Sequence, residues 1–289
     1  MCKHLCTLFL LAICVVPGKS ESEPGSKPNI IIVMSDDQGN NLACLGNPWL
    51  KTPHIDQLCK ESNRLTNFHQ DMLCTPSRAS LMTGRYAIRT GAWRTSRGRS
   101  MMRTEELTIA EVLKEKGYAT AQFGKWHLGD TWPFIPQDQG FDEVVGHLCG
   151  GISQISDYWG NDYFDDTYYH NGIPTKYEGY CTDVFFSETI RFIREHKNKP
   201  FMIYLAPNVA HLPNRVDESY ADPYVQQGIE KGQAIYYGMI TNLDENMGRL
   251  IQALKEEDVY NNTIFIFTTD DGPPKTGQHF DQGGWALDH

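Results

Sequence analysis

The chain lacks an excess of positive charge. Its 26 Lys and Arg stand against 36 Asp and Glu, a formal net charge of −10 with a pI near 5.4. General nucleic-acid binding calls for a basic face, so a nucleic-acid partner is not expected. Long apolar runs are also missing. Beyond Leu5–Val16, no stretch approaches the ~20 apolar residues that a membrane span needs. Cysteine is sparse: eight residues, three of which (Cys2, Cys6, Cys14) lie in or beside that first apolar stretch. Only one glycosylation sequon is present, Asn261-Asn262-Thr263, just before a predicted strand. What remains is a globular balance, 40% hydrophobic and 21% charged. The 289 residues suffice for one large domain or two ordinary ones, and 25 Gly with 15 Pro predict many turns.

Lys3 and His4 precede the apolar run, and Pro17, Gly18 and Ser20 follow it. That is the shape of a secretory signal peptide over residues 1–20, with an uncleaved signal anchor as the alternative. The mature chain is expected to begin between Lys19 and Lys27, with no membrane span left after cleavage. Five cysteines remain in it: Cys44, Cys59, Cys74, Cys149 and Cys181. An odd count in an oxidising compartment leaves one sulfur unpaired or otherwise used. If that one is Cys74, the other four allow three pairings, and the sequence favours none of them.

Asn29–Met34 is a continuous apolar run, as in a strand buried on both faces. Thr52-Pro53 opens a predicted helix to about Ser62, with Thr as N-cap. Thr108-Ile-Ala-Glu111 reads as a capping box for a helix over 109–116, stopped by Gly117. A strand is predicted over Tyr118–Phe123, a helix over 184–196, a strand over Phe201–Leu205 and a strand over Thr263–Thr268. Between the last two runs a long helix from about Ile235 to Glu256, striped by Ile235, Met239, Leu243, Met247, Leu250 and Leu254. This alternation predicts an α/β fold: a mostly parallel or mixed central sheet flanked by helices.

Such sheets bind ligands beyond the carboxyl ends of their strands. After the first strand stand Asp36 and Asp37; after the second, Lys125 and His127; after the third, His211; after the fourth, Asp270 and Asp271. Exposed loops are routinely polar, so any one of these is unremarkable. Four together, delivering carboxylates, imidazoles and an amine to one edge, point to a site. Carboxylates with little sulfur or imidazole suit Ca²⁺ or Mg²⁺ better than Zn²⁺.

Cys74-Thr-Pro-Ser-Arg78-Ala-Ser-Leu-Met-Thr83-Gly84-Arg85 adds the decisive stretch. Pro76 suits a helix start and Gly84 its end, which puts Cys74 at a helix N-terminus where anions are favoured. Arg78, one turn on, adds a fixed charge. By itself this also suits a half-cystine beside a short helix. These residues, however, match every fixed position of a signature of the sulfatase family, C-x-P-S-R followed by x-x-x-[LM]-T-G-R. Pro28–Gly39, Gly46-Asn-Pro, Thr52–Asp56, Gly124-Lys-Trp-His-Leu-Gly129, Ala206–Pro213 and Thr269-Asp-Asp-Gly272 resemble further segments of the same family.

The resemblance implies a sulfatase-like, alkaline-phosphatase-like fold whose N-terminal catalytic domain occupies residues 27–289. It implies conversion of Cys74 to formylglycine (3-oxoalanine) by a formylglycine-generating enzyme, and one Ca²⁺ per chain held by Asp36, Asp37, Asp270, Asp271 and position 74. A hydroxyl of the hydrated aldehyde would attack sulfur; the other would expel sulfate as the aldehyde re-forms. Arg78 and Lys125 would neutralise diol and sulfate oxygens. His127 would orient the diol or assist its collapse, and His211 would meet sulfate or the leaving oxygen as general acid. The substrate implied is a sulfate ester, aryl sulfate or sulfated glycan, and the location lysosomal or extracellular.

Two departures stand out. The family usually has Asn where this chain has Asp271, which is expected to preserve metal binding but weaken or reset sulfate affinity. The family's later active-site lysine has no match, since Lys275 is too close to the motif and 283–289 leave the pattern. The smaller C-terminal domain is also absent, so the chain reads as C-terminally truncated or divergently ended. The alternatives are a catalytically inactive secreted binder of glycans or partners, and a phosphoester or phosphonate hydrolase of the same superfamily. Two weaker signals remain. Arg85, Arg89, Arg94, Arg97, Arg99 and Arg103 form a basic stretch, an approach for polyanions or simply a solvated loop. Eight aromatics crowd residues 158–180, expected mainly to pack an insertion.

Overall fold

The computed structural model describes residues 27–96, 98–153 and 157–273. The expected signal peptide, Arg97, Lys275 and residues 283–289 lie outside these. Seven strands form one sheet: β1 (Asn29–Ser35), β2 (Ala119–Lys125), β3 (Glu143–His147), β4 (Thr167–His170), β5 (Ile173–Lys176), β6 (Phe201–Ala206) and β7 (Thr263–Thr269). Their order is β5-β4-β3-β2-β6-β1-β7. From β3 to β7 every pairing is parallel; β3-β4 and β4-β5 are antiparallel. The four strands predicted from sequence are therefore neighbours, β2-β6-β1-β7, and their carboxyl ends share one edge.

Around the sheet lie α1 (Pro53–Glu61), α2 (Cys74–Thr83), α3 (Ala87–Thr90), α4 (Ile109–Glu115), α5 (Cys181–His196), α6 (Glu218–Val225) and α7 (Lys231–Glu256). Strand alternation divides the core in two. Ile31, Val33, Phe123, Ile203 and Leu205 pack with Ile55, Phe185, Ile193, Leu243 and Leu250 from α1, α5 and α7. Ile32, Met34, Met202 and Tyr204 pack with Ala79 and Met82 of α2, Ala110 of α4, and Trp126. Both faces of β1, β2 and β6 are thus covered, as their unbroken apolar runs require, whereas β7 at the sheet edge leaves Ile264 and Ile266 exposed.

Several elements differ from expectation in instructive ways. The capping box at Thr108 and Glu111 is present. Thr52, however, makes no side-chain cap: its hydroxyl donates to Asp56 Oδ1 at 2.9 Å and accepts from the Ala43 N–H. The α7 stripe holds from Met239 onward, but its first turns bury Ala234, Tyr236 and Tyr237 rather than the partly exposed Ile235. The aromatic-rich segment builds the β4-β5 hairpin, turning at Asn171 (φ 50°) and Gly172 (φ 83°). Tyr163, Tyr168 and Tyr180 are buried in the first core, as expected of local packing. No helix among the described residues is long and apolar enough to cross a membrane.

Candidate active site

The site lies where β1, β2 and β7 end and α2 begins. β1 runs directly into Asp36, which is fully buried, and Asp37 follows at φ 53°, a left-handed conformation uncommon outside glycine. β7 delivers Asp270 in the same way. The two ends are tied together by Asp270 N–H to Ser35 O at 3.1 Å and Asp37 N–H to Asp270 Oδ1 at 3.1 Å. Asp271 is buried next to them, and its Oδ1 has no hydrogen-bond partner among the described residues.

Two buried cations meet these carboxylates. Lys125, the last residue of β2, places Nζ 2.7 and 2.8 Å from the two oxygens of Asp36. Arg78 Nη2 donates to Asp36 Oδ1 at 3.2 Å and to Asp270 Oδ2 at 2.6 Å; Nη1 donates to Tyr204 Oη at 3.0 Å and Lys125 O at 3.3 Å. Burial pushes the Asp36 carboxyl up, but Lys125, His211 and Arg78 outweigh it and hold Asp36 below the usual range. For Asp270 burial and the nearby Asp36 prevail, so its carboxyl is held up. Asp271 is raised much further by burial, Asp270 and Asp37. The pocket therefore carries more carboxylate than its two cations neutralise. That is the electrostatic setting of a hard divalent cation.

The ligand atoms are close enough for one. Three groups have donor atoms within 4.8 Å of one another: Asp36, Cys74 and Asp270; Asp37, Asp270 and Asp271; Asp36, Asp37 and His211. The expected ligands Asp36, Asp37, Cys74, Asp270 and Asp271 thus fall into two sets sharing Asp270. His211 reaches the same cluster, its Nε2 3.8 Å from Asp37 Oδ2.

Cys74 is the first residue of α2, which ends at Gly84 in the left-handed region as expected. Burial pushes its thiol up to about 12; Lys125 and Arg78 pull the other way, Asp270 and Asp36 with burial. Sulfur here is a protonated thiol rather than a thiolate nucleophile.

His127 is set by a sharp bend. Gly124 sits at φ 99°, where an added Cβ would lie 2.2 Å from Ala206 O of the neighbouring strand. Trp126 N–H then bonds His147 O and His127 N–H bonds Leu148 O, each at 3.0 Å, with His127 itself at φ 58°. Thr75 Oγ1, next to Cys74, donates to His127 O at 3.2 Å and joins α2 to this loop. Burial, Lys125 and Arg78 hold the imidazole far below its usual range, and so neutral. All nine site residues predicted from sequence are in this one region.

Sequence reasoning missed their supports. Tyr204 braces Arg78 from β6. Tyr163 donates to His211 O at 3.0 Å. Gln70, oriented to satisfy both bonds, donates to Thr269 O at 2.9 Å and accepts from Asp271 N–H at 3.2 Å. Gly150 lies flat against His127, an added Cβ falling 2.6 Å from Cε1 and 2.7 Å from Nε2. No motif marks these positions, because they come from β6 and from loops far apart in sequence. Three arginines of the basic stretch are engaged: Arg85 pairs with Glu106, Arg99 stacks over Trp93, and Arg103 donates to Arg89 O.

Comparisons with known proteins bear on the family and the fold. Arylsulfatase J of Mus musculus is 30% identical over 267 residues, covering 87% of this chain and 44% of the relative. Arylsulfatase A of Homo sapiens is 29% identical over 294 residues, covering 91% and 55%. The chain thus spans about half the length of the curated relatives it matches. Among solved structures, Ps i-CgsB in complex with k-i-k-neocarrahexaose superposes with a TM-score of 0.78 at 29% identity, covering 91% of this chain and 62% of that one. The phosphonate monoester hydrolase of Agrobacterium radiobacter, at 20% identity and TM-score 0.62, covering 91% and 66%, shares the fold. The model of the family described as Sulfatase matches residues 28–287, and this chain belongs to the sulfatase family.

Proposed function

We propose that the protein hydrolyses sulfate esters, with position 74 acting as formylglycine and one Ca²⁺ held by Asp36, Asp37, Asp270, Asp271 and position 74. One observation carries this reading. Cys74 opens a helix inside a cluster of four carboxylates and two buried cations, its Sγ within 4.8 Å of the ligand oxygens of Asp36 and Asp270. As cysteine the residue is a poor nucleophile there; converted to an aldehyde hydrate, it would present hydroxyls to the same cluster. Calcium, when bound, would supply the positive charge that the carboxylates lack.

The chain's own residues divide the remaining work. Lys125 and Arg78, fixed by Asp36 and Asp270, aim positive charge at the space over Cys74 and so favour an anionic sulfate there. His127, neutral and held by Gly150, Leu148 O and Thr75, can hold or accept a proton beside position 74. His211, whose Nδ1 faces Leu212 O at 2.5 Å, leaves Nε2 toward the cluster, where it can donate to the departing oxygen. Relatives named N-acetylgalactosamine-6-sulfatase and ulvan-active sulfatase support sulfated glycans as the substrate class beside aryl sulfates. The secretory-pathway reading, with a formylglycine-generating enzyme as partner in maturation, rests on the N-terminal sequence and on this family.

Mass spectrometry of the Cys74 peptide, from protein made in cells with the converting enzyme, tests the reading. Formylglycine is expected, with turnover of an aryl sulfate faster than of the matching aryl phosphate. Unmodified thiol throughout would refute it.

A further inference from the structure

Residues 43–45 form a single 3-10 turn packed against α1. Three hydrogen bonds clamp the two together. Asp56 Oδ1 accepts from Cys44 N–H at 2.9 Å and from Thr52 Oγ1 at 2.9 Å, and Thr52 Oγ1 accepts from Ala43 N–H at 3.1 Å. Cys59 lies three residues beyond Asp56, on the same face of the helix. The clamp therefore brings the Cys44 side chain onto Cys59. Both thiols are half-buried, and Cys59 acts directly on the Cys44 thiol, helping burial to push it up.

We propose that Cys44 and Cys59 are joined as a disulfide when the chain matures in an oxidising compartment. A thiolate of the pair attacks the disulfide of a thiol–disulfide oxidoreductase and forms a mixed disulfide with it. The second cysteine, giving up its proton, displaces the carrier sulfur and closes the S–S bond. In total the pair loses two protons and two electrons, and the carrier leaves as a dithiol. Of the three pairings open on sequence grounds, this contact picks one bond. The remaining cysteines sit beside oxygen: Cys149 N–H donates to Asp157 Oδ1 at 2.9 Å, and Cys181 Sγ lies 3.9 Å from Thr182 Oγ1. They stay as thiols.

The bond has a structural consequence for the carboxylate loop. From within the ring it closes, Asn47 Nδ2 reaches out to donate to Asn41 Oδ1 at 3.1 Å, and Asn41 Nδ2 in turn donates to Gln38 O at 3.2 Å, next to Asp37. The disulfide braces this chain of amides from behind, away from the reacting groups.

Secreted protein, alkylated without reduction and digested with trypsin, gives the direct test. Lys51 lies between the two cysteines, so an intact bond holds two separate peptides together. Linked peptides containing Cys44 and Cys59 are expected, lighter than their sum by two hydrogens; both cysteines alkylated would overturn the proposal. A melting series supplies the second readout. Reductant should lower the wild-type midpoint to that of Cys59→Ser, which should itself ignore reductant. A wild-type midpoint indifferent to reductant would overturn the proposal even if Cys59→Ser failed to fold. Neither result depends on sulfatase activity.

Discussion

Removing Lys125 tests whether the buried cations are there to neutralise carboxylates. In Lys125→Met the side-chain volume is nearly kept, but Asp36 loses bonds of 2.7 and 2.8 Å. It retains Arg78 at 3.2 Å, while the shorter 2.6 Å bond of that guanidinium is committed to Asp270. Deleting one partner of a fully buried ion pair costs about 3–5 kcal/mol, because the other charge stays buried. With urea slopes of roughly 1–3 kcal/mol per molar, the midpoint should fall by at least about 1 M. Tryptophan fluorescence would follow it, Trp126 being fully buried beside the site. The pH dependence has a definite sign. In the wild type Asp36 is held below its ordinary value, so its contribution is present above about pH 4 and is lost as pH falls further. Without Lys125 burial prevails, the Asp36 pKa rises, and the deficit of the variant is largest near neutrality and shrinks toward pH 4. Calcium should recover part of it, since a ligand at 100 times its Kd adds about 2.7 kcal/mol. Equal urea midpoints for variant and wild type in chelator at pH 7 would refute this account of the cluster.

Other perturbations separate position from charge. Gly150→Ala should drive His127 aside, since the added methyl lies 2.6 Å from the ring; a displacement near 1 Å predicts a roughly 10²-fold loss of aryl sulfate turnover. Gly248→Ala is its control: the methyl would crowd His54 at 2.7 Å, outside the site, so stability should fall by about 1–3 kcal/mol while turnover per folded molecule is kept. Burial, with Lys125 and Arg78, lowers the His147 pKa to about 4 against the pull of Asp157. The neutral form is thus favoured by the fold, and its contribution, up to ~3 kcal/mol, is complete above pH 6.5 and lost as pH falls toward 4. The stability difference between wild type and His147→Asn should shrink over that window; a pH-independent difference would contradict the assignment.

The legible parts of this protein were those where one local pattern does two jobs. Asp36, Asp37, Asp270 and Asp271 follow two short β-branched and aromatic runs that pair as parallel strands, so strand pattern and ligand position coincide. Cys74 and Arg78 share one helix turn, which fixes their common direction before any tertiary contact is known. The antiparallel extension was not read from the sequence: Asn171-Gly172 is a two-residue hairpin signal, but the surrounding aromatics read only as the packing of an insertion. Other features have no such local trace. Gly150 is one glycine among 25, and only the fold sets it against His127. Thr52 looks like a helix cap, yet it spends its hydroxyl on Asp56 and Ala43 because the turn at 43–45 packs there. That same packing brings Cys44 to Cys59, which spacing could not do. Short-range rules placed the groups that carry the chemistry, whereas the groups that hold them still depend on which loops meet, and that is decided by the order of strands in the sheet.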